Sequence, residues 1–192
     1  MSKTDKQILL DIMAGAFRES DRLRPILRKG KTEKRLKIMA EYAYDLAVKF
    51  NGVYLSEDKT TAIVYWQQSK YNRSVKDYVK YAVMFLRTIK LHKLFETARR
   101  EKYVESRRPE LDDYIYVWLL GKDPETNSIR GLADIRDHLN ELARTLDIPI
   151  LIETTVEKLL KLYRYVGFEV YDEFYDNTIG MPVYFLRKDP PK

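Results

Sequence analysis

The sequence predicts a mixed α/β fold, with a mostly antiparallel central sheet, one parallel strand pair and helices on its flanks. Three observations predict it. Tyr114–Leu120 and Ile148–Ile152 are short β-branched, aromatic and apolar runs. Between them, Arg130–Leu146 repeats Leu132, Ile135, Leu139, Leu142 and Ala143 at helical spacing. A strand–helix–strand unit of this length implies parallel neighbours joined by a right-handed crossover. Finally, Phe168–Tyr175 and Met181–Leu186 flank an Asn177–Gly180 turn, which reads as an antiparallel hairpin.

The remaining elements follow in order. Ile8, Leu9, Ile12, Met13 and Phe17 place a helix over Gln7–Phe17. Thr32 reads as the N-cap of a second helix, which carries Leu36, Met39, Ala40, Ala43 and Ala47 and runs to about Phe50 before Asn51-Gly52 breaks it. Val53–Leu55 and Thr60–Trp66 form a hairpin around the polar turn Ser56–Lys59. Ser74 reads as the cap of a helix carrying Val75, Tyr78, Val79, Ala82 and Phe85. Helix continues past a break near Leu91 to about Tyr103, and Arg107–Pro109 connects onward. Gly121–Pro124 reads as the turn leaving the first strand of the second half, and Val156–Val166 as a helix. No repeat, low-complexity tract or linker interrupts the chain. One domain over 1–192 is expected, with residues 1–110 as its helical and hairpin part and 111–192 as its core.

Composition narrows the chemistry. The 192 residues are 45% hydrophobic and include fifteen tyrosines, whose polar tips suit a cleft or interface as well as a core. There is no cysteine and there are only two histidines, so disulfides, thiolate ligands, a cysteine nucleophile and a histidine-rich metal centre are not expected. The first apolar run is too short and too interrupted by charge for a signal peptide or a membrane span. A cytoplasmic protein with no membrane and no metal partner is the expectation. The net charge of +6 invites a nucleic-acid reading, but acids are interspersed along most of the chain. Arg28–Lys37 is the one dense basic cluster, and a solvated loop and helix start accounts for it.

The loop Asn127–Ala133 opens a long amphipathic helix. Backbone N–H groups at a helix N-terminus attract anions, above all phosphate. Gly131 and Ala133 are small enough to admit a ligand to the backbone, and Arg130 adds positive charge. The dinucleotide fingerprint and the P-loop are both absent.

The order of these features over about Leu111–Lys188 resembles the GNAT (Gcn5-related N-acetyltransferase) family. The family's Gln/Arg-x-x-Gly-x-Gly/Ala loop falls on Ser128-Ile129-Arg130-Gly131-Leu132-Ala133, and its Tyr-x-x-x-Gly-Phe signature on Tyr163-Arg164-Tyr165-Val166-Gly167-Phe168. The resemblance implies the acyl-CoA N-acyltransferase fold, with acetyl-CoA as donor and no metal. It places the pantetheine arm along Leu119–Lys122, so that Leu120, Gly121 and Lys122 touch it, and the pyrophosphate on Ser128, Ile129, Arg130, Gly131, Leu132 and Ala133. Transfer would be direct, with Tyr163 protonating the departing thiolate. The chain departs from the family at Ser128, where Gln or Arg is usual, at Lys122, and in lacking the asparagine often found early in the last helix.

A general base is named less firmly by the residues. Glu153, at the end of its strand, and the Asp112-Asp113 pair are candidates, whereas His138 and His92 read as packing or surface residues. The first expectation is an acetyltransferase acting on a small-molecule primary amine. Its alternatives are an acyl-CoA-binding or regulatory protein of the same fold with weakened catalysis, and a nucleic-acid-associated protein, for which no motif speaks. In this fold the acceptor side is built from roughly Phe17–Lys49 and Tyr171–Pro182. There Tyr42, Tyr44, Tyr171, Phe174 and Tyr175, with Glu41, Asp172, Glu173 and Asp176, would suit a cationic amine. Dimers are common in the family, so a C2 homodimer is the default.

Overall fold

The computed structural model describes residues 2–191. In chain order its elements are α1 (Lys3–Glu19), α2 (Thr32–Val48), β1 (Val53–Leu55), β2 (Thr61–Gln67), α3 (Val75–Thr88), α4 (Leu94–Ser106), β3 (Ile115–Lys122), α5 (Arg130–Leu146), β4 (Ile150–Thr154), α6 (Glu157–Tyr165), β5 (Glu169–Asp176) and β6 (Met181–Lys188). The strands form one sheet in the order β1-β2-β3-β4-β6-β5. Every neighbouring pair is antiparallel except β3–β4. Among the described residues, no helix is long and apolar enough to cross a membrane.

Local chemistry sets the ends of the elements. Ser2 and Asp5 form a reciprocal capping box, so α1 starts at Lys3, four residues before the expected Gln7. Ser74 and Asp77 do the same for α3. Thr32 is the first helical residue of α2 rather than its cap. Lys31 takes the cap position at φ 49° with no side-chain bond, and the helix stops at Val48. Gly121 and Lys122 belong to β3, paired with Ala62 and Thr61, so the turn begins at Asp123.

Side-chain alternation along the strands divides the core into two faces. Ile115, Val117, Ile150, Ile152 and Leu186 meet Ile135 and Leu139 of α5 and Leu160 and Tyr163 of α6. On the other face, α1 and α2 pack on Ala62 and Val64 of β2, and Val104 of α4 packs on Val183 and Phe185 of β6. A Cβ at Gly121 would come within 3.1 Å of Ile12 and Ala16, so glycine is what lets α1 lie this close to β3. Between α1–α2 and α4, the middle of the sheet carries Tyr116, Trp118, Leu151 and Glu153.

Candidate active site

The parallel pair is short. β3 and β4 are paired only from Ile115 to Val117 and from Ile150 to Ile152. Beyond that, Trp118–Lys122 keeps its partner β2 on one side only, while Glu153 and Thr154 pair with β6. The two strands splay apart. A bulge sits where they part: Val64 pairs with Leu119 and Tyr65 with Val117, which leaves Trp118 unmatched. The backbone groups of Trp118–Lys122 that face the gap have no strand partner, so an extended ligand arm can lie along them. Leu120, Gly121 and Lys122 are in this stretch.

Tyr163 of α6 is buried in the same cluster as Val117 and Ile152, the last paired residues of β3 and β4. Its position is fixed by the end of the helix. Phe168 N–H bonds to Tyr163 C=O at 2.9 Å and Gly167 N–H to Arg164 C=O at 3.0 Å, with Gly167 at φ 93°. This is a Schellman motif, and the Tyr163 and Phe168 rings supply its apolar contact, edge to face at 5.8 Å. The spacing of Tyr-x-x-x-Gly-Phe is therefore the spacing of a helix stop. Burial pushes the Tyr163 phenol up to about 12, and its hydroxyl has no hydrogen-bond partner among the described residues.

The head of α5 is organised differently from a free anion seat. Ser128 N–H bonds to Thr126 Oγ1 at 3.1 Å and Arg130 N–H to Ser128 Oγ at 3.2 Å. Ala133 N–H closes on Ile129 C=O. The Asp58 carboxylate from the β1–β2 turn stands over Gly131, 2.9 Å from where a Cβ would sit. Hydroxyls of Ser56 (2.7 Å) and Thr60 (2.8 Å) and the Thr60 N–H (3.1 Å) fix that carboxylate and hold it below its usual pKa. Next to it, Asp134 accepts the Glu57 N–H at 2.7 Å and the Tyr54 hydroxyl at 2.9 Å. A Cβ on Gly131 would lie within 3.0 Å of Thr60, Thr61 and Asp58, so the missing side chain makes room for the turn rather than for a ligand. So placed, the Ser128, Arg130 and Ala133 N–H groups are engaged by the protein and the side chain nearest Gly131 is an anion, which opposes the diphosphate of acetyl-CoA, while the Ile129 and Leu132 N–H groups have no acceptor among the described residues. The β3–β4 gap does fit a pantetheine arm.

Across the sheet, charged groups converge over Tyr116 and Glu153. Arg108 pairs with Glu153 at 3.2 Å, and its guanidinium lies 3.8 Å from the centre of the Tyr116 ring. Burial opposes the Arg108 charge, but Tyr116 and Glu153 outweigh it and hold the proton more firmly than usual. Arg100 pairs with Asp176. Arg73 donates to the Tyr42 hydroxyl at 2.6 Å and lies over the Tyr78 and Tyr81 rings. Glu101 accepts from the Tyr81 hydroxyl. Water reaches Glu101, yet the protein around it, then Glu105 and Glu153, raise its carboxyl to about 7 against the pull of Arg73 and Arg22. Tyr42 meets Trp118 edge-on at 6.3 Å, which brings the Arg73–Glu101 group to the sheet face that carries Tyr116 and Glu153, and this charged face is the recess.

Several expected residues meet here and others do not. Glu153 faces the recess, but Arg108 engages it. Asp113 caps the bend after β2, accepting from Gln67 Nε2, Ser69 N–H and Ser69 Oγ. His138 is a packing residue, stacked on Tyr54 at 3.8 Å and bonded to the Tyr65 hydroxyl. Asp172 is neutralised by Arg107, just past the end of α4, and Asp176 by Arg100 of α4. Of the basic cluster, Arg28 and Arg35 donate to the Ile89 and Arg87 carbonyls at the end of α3. Reading the sequence missed Arg73, Arg100 and Glu101.

No family model and no curated protein sequence matches the chain. Solved structures do. The C-terminal condensation domain of Ebony, in complex with beta-alanyl-dopamine, superposes at TM-score 0.70 and 11% identity over 98% of this chain and 96% of that one. An acetyltransferase of Corynebacterium glutamicum, described as histone acetyltransferase HPA2 and related acetyltransferase, gives 0.65 and 14% over 100% and 94%. The polyamine N-acetyltransferase of Drosophila melanogaster gives 0.57 and 13% over 98% and 97%. With its bulged, splayed β3–β4 pair, helix-capped sheet and closing hairpin, the chain has the acyl-CoA N-acyltransferase fold of the GNAT acetyltransferases.

Proposed function

We propose that residues 1–192 form one acyltransferase domain that moves an acyl group, acetyl from acetyl-CoA, directly to a small-molecule primary amine. The observation that carries this reading is the β3–β4 splay. It is a gap through the middle of the sheet, with Tyr163 on one side and the charged recess on the other. A thioester arm laid along Trp118–Lys122 would bring its carbonyl to the place where an amine in the recess can attack. The neighbours support the acceptor class: the Drosophila enzyme is described as forming N-acetylagmatine, and a further one is an agmatine N-acetyltransferase, at TM-score 0.54 and 14% identity.

The donor supplies an acyl carbonyl activated as a thioester, and the chain's own groups do the rest. Strand backbone at the gap orients the arm and keeps attack geometry. Tyr163 gives its proton to the departing sulfur, the general-acid role. Glu101, raised to about 7, is matched to take the proton from the acceptor's ammonium at neutral pH. Glu153, held by Arg108, positions that side of the recess.

Incubation with acetyl-CoA and a panel of primary amines, read by mass spectrometry for acetylated product and by thiol release, tests the proposal. No product from any amine would sink it. The Asp58 carboxylate at the head of α5 favours a second reading, an acyl-CoA-binding or regulatory protein with weakened catalysis. Acetyl-CoA binding without thiol release would decide for that one.

A further inference from the structure

Helix α3 is apolar on two opposite faces. Its inner face buries Met84, Phe85 and Thr88 against the domain. On the outer face Val75, Val79, Ala82, Val83 and Leu86 recur at helical spacing, and all five are exposed, Val75 at 81% and Val79 at 58%. A helix that is apolar nearly all round belongs in an interior or against another apolar medium. Lys76, Lys80 and Arg87 follow the same periodicity and run along one edge of this stripe. The sole acid of α3 is Asp77, which is buried and paired with Lys49.

The basic edge ends in a cleft. Lys31, Lys34, Arg35 and Ile38, at the start of α2, and Arg87 of α3 line a volume of about 350 Å³. Among the described residues, none of its four cations forms an ion pair. The nearby acids are taken: Glu33 by two bonds from Arg18, at 2.9 and 2.5 Å, and Asp11 by Lys37 at 3.8 Å. Arg35 Nε donates to the Arg87 C=O at 3.3 Å, but its Nη1 is buried with no acceptor. Four uncompensated cations and an unsatisfied guanidinium N–H make a seat for an anion, and phosphate oxygens suit it.

Stripe and cleft meet, because Val83 and Arg87 lie one turn apart on the same face of α3. We propose that α3 docks on an anionic membrane surface, its valine stripe entering the headgroup layer and the cleft holding a lipid phosphate. Charge and shape choose this occupant. Packed antiparallel on a second copy, α3 would set its basic row against itself with no acid between. A helix of another protein docks in a groove, whereas Val75 and Val79 stand on a ridge. A free phosphate would fill the cleft and leave the stripe in water. An anionic bilayer answers both, with apolar burial and attraction to the basic edge acting together. The contact is peripheral, since no helix among the described residues is long and apolar enough to cross a membrane.

Sedimentation with vesicles of phosphatidylcholine alone, and of equal parts phosphatidylcholine and phosphatidylserine, tests this. The wild type should bind the anionic vesicles about tenfold or more tightly than the neutral ones. Val79→Ser with Val83→Ser should weaken that binding about tenfold, and so should Lys34→Gln with Arg87→Gln. Lys158→Gln with Lys161→Gln removes the same charge from α6, on the opposite side of the sheet, and should change it by about twofold at most. All six side chains are exposed, so each variant keeps the core intact. Failure to bind anionic vesicles overturns the proposal. So does an indifferent valine pair, or an equal loss from the α6 pair, either of which reduces the effect to net charge. Inorganic pyrophosphate bound in calorimetry without any vesicle binding would assign the cleft to a free phosphate. Dimerisation in light scattering that the valine pair abolishes would assign the stripe to a second copy, and tighter capture of a labelled acidic amphipathic peptide would assign it to a protein helix. Each of these three outcomes displaces the membrane.

Discussion

The Asp58 carboxylate of the β1–β2 turn stands over Gly131, 2.9 Å from where a Cβ would sit, and brings to the head of α5 the negative charge that its own first turn lacks. A carboxylate placed there competes with any anionic ligand for the helix head. Asp58→Asn keeps the shape and removes the charge. It should tighten acetyl-CoA binding about tenfold at low salt, the gain shrinking as salt screens the repulsion. Acetyl-pantetheine, which lacks the diphosphate, should bind both proteins equally. Calorimetry with the two ligands checks this, and an unchanged acetyl-CoA affinity would show that the diphosphate settles elsewhere.

Gly131→Ala sets two effects against each other. Alanine favours the helix over glycine by about 1 kcal/mol. Its Cβ, however, would fall within 3.0 Å of the Thr60 and Thr61 hydroxyls, and Thr61 is fully buried and cannot retreat into solvent. Overpacking of this kind costs about 1–3 kcal/mol, so a net loss of about 1 kcal/mol is expected. Urea denaturation measures it. A gain in stability would mean that the turn lifts off α5 without penalty.

For Tyr163→Phe the ring contact with Phe168 and the Schellman bonds remain, so stability should hold within about 0.5 kcal/mol. Turnover should not. A phenol at about 12 facing a free thiol near ~8.5 would transfer its proton uphill by roughly 5 kcal/mol. A thiolate released into the same apolar surroundings is raised as well, which narrows that gap. The loss in kcat is therefore expected near the lower end of general-acid effects, about 100-fold, with acetyl-CoA affinity unchanged. Steady-state kinetics with intact kcat would remove the hydroxyl from the reaction.

Features confined to one stretch of chain were legible in the sequence. The bounds of α5 came directly from its apolar repeat, and Tyr163, Gly167 and Phe168 could be aligned because a helix stop is a local motif. Gly121-Lys122 misled, since turn residues before Asp-Pro look like an exit, yet pairing with Thr61 and Ala62 carries the strand two residues further. Gly131 was recognisable as a position that needs glycine. What approaches it was not, because Asp58 arrives from a turn more than seventy residues earlier in the chain. The recess was hidden for the same reason. Arg73 and Glu101 come from separate segments, and each alone looks like a solvated charge.

Glu101 makes the recess visible to pH. Its carboxyl is raised from 4.5 to about 7, first by the protein crowded around it. Between those values the folded chain holds a proton that the unfolded chain has released, so this group lowers stability progressively as pH rises from about 4.5 to 7. The cost is fully present above that window and absent below it. Glu101→Gln removes the titration while keeping an acceptor for the Tyr81 hydroxyl. The variant should match the wild type in Tm at pH 4.5 and exceed it at pH 8. If Glu101 also takes the ammonium proton, the acid limb of kcat/KM near pH 7 should disappear with it, at a lower plateau. Scanning calorimetry across pH 4–8 tests the first expectation. A constant Tm difference would mean that Glu101 titrates as a solvated carboxyl and that the recess is more open than its neighbours imply.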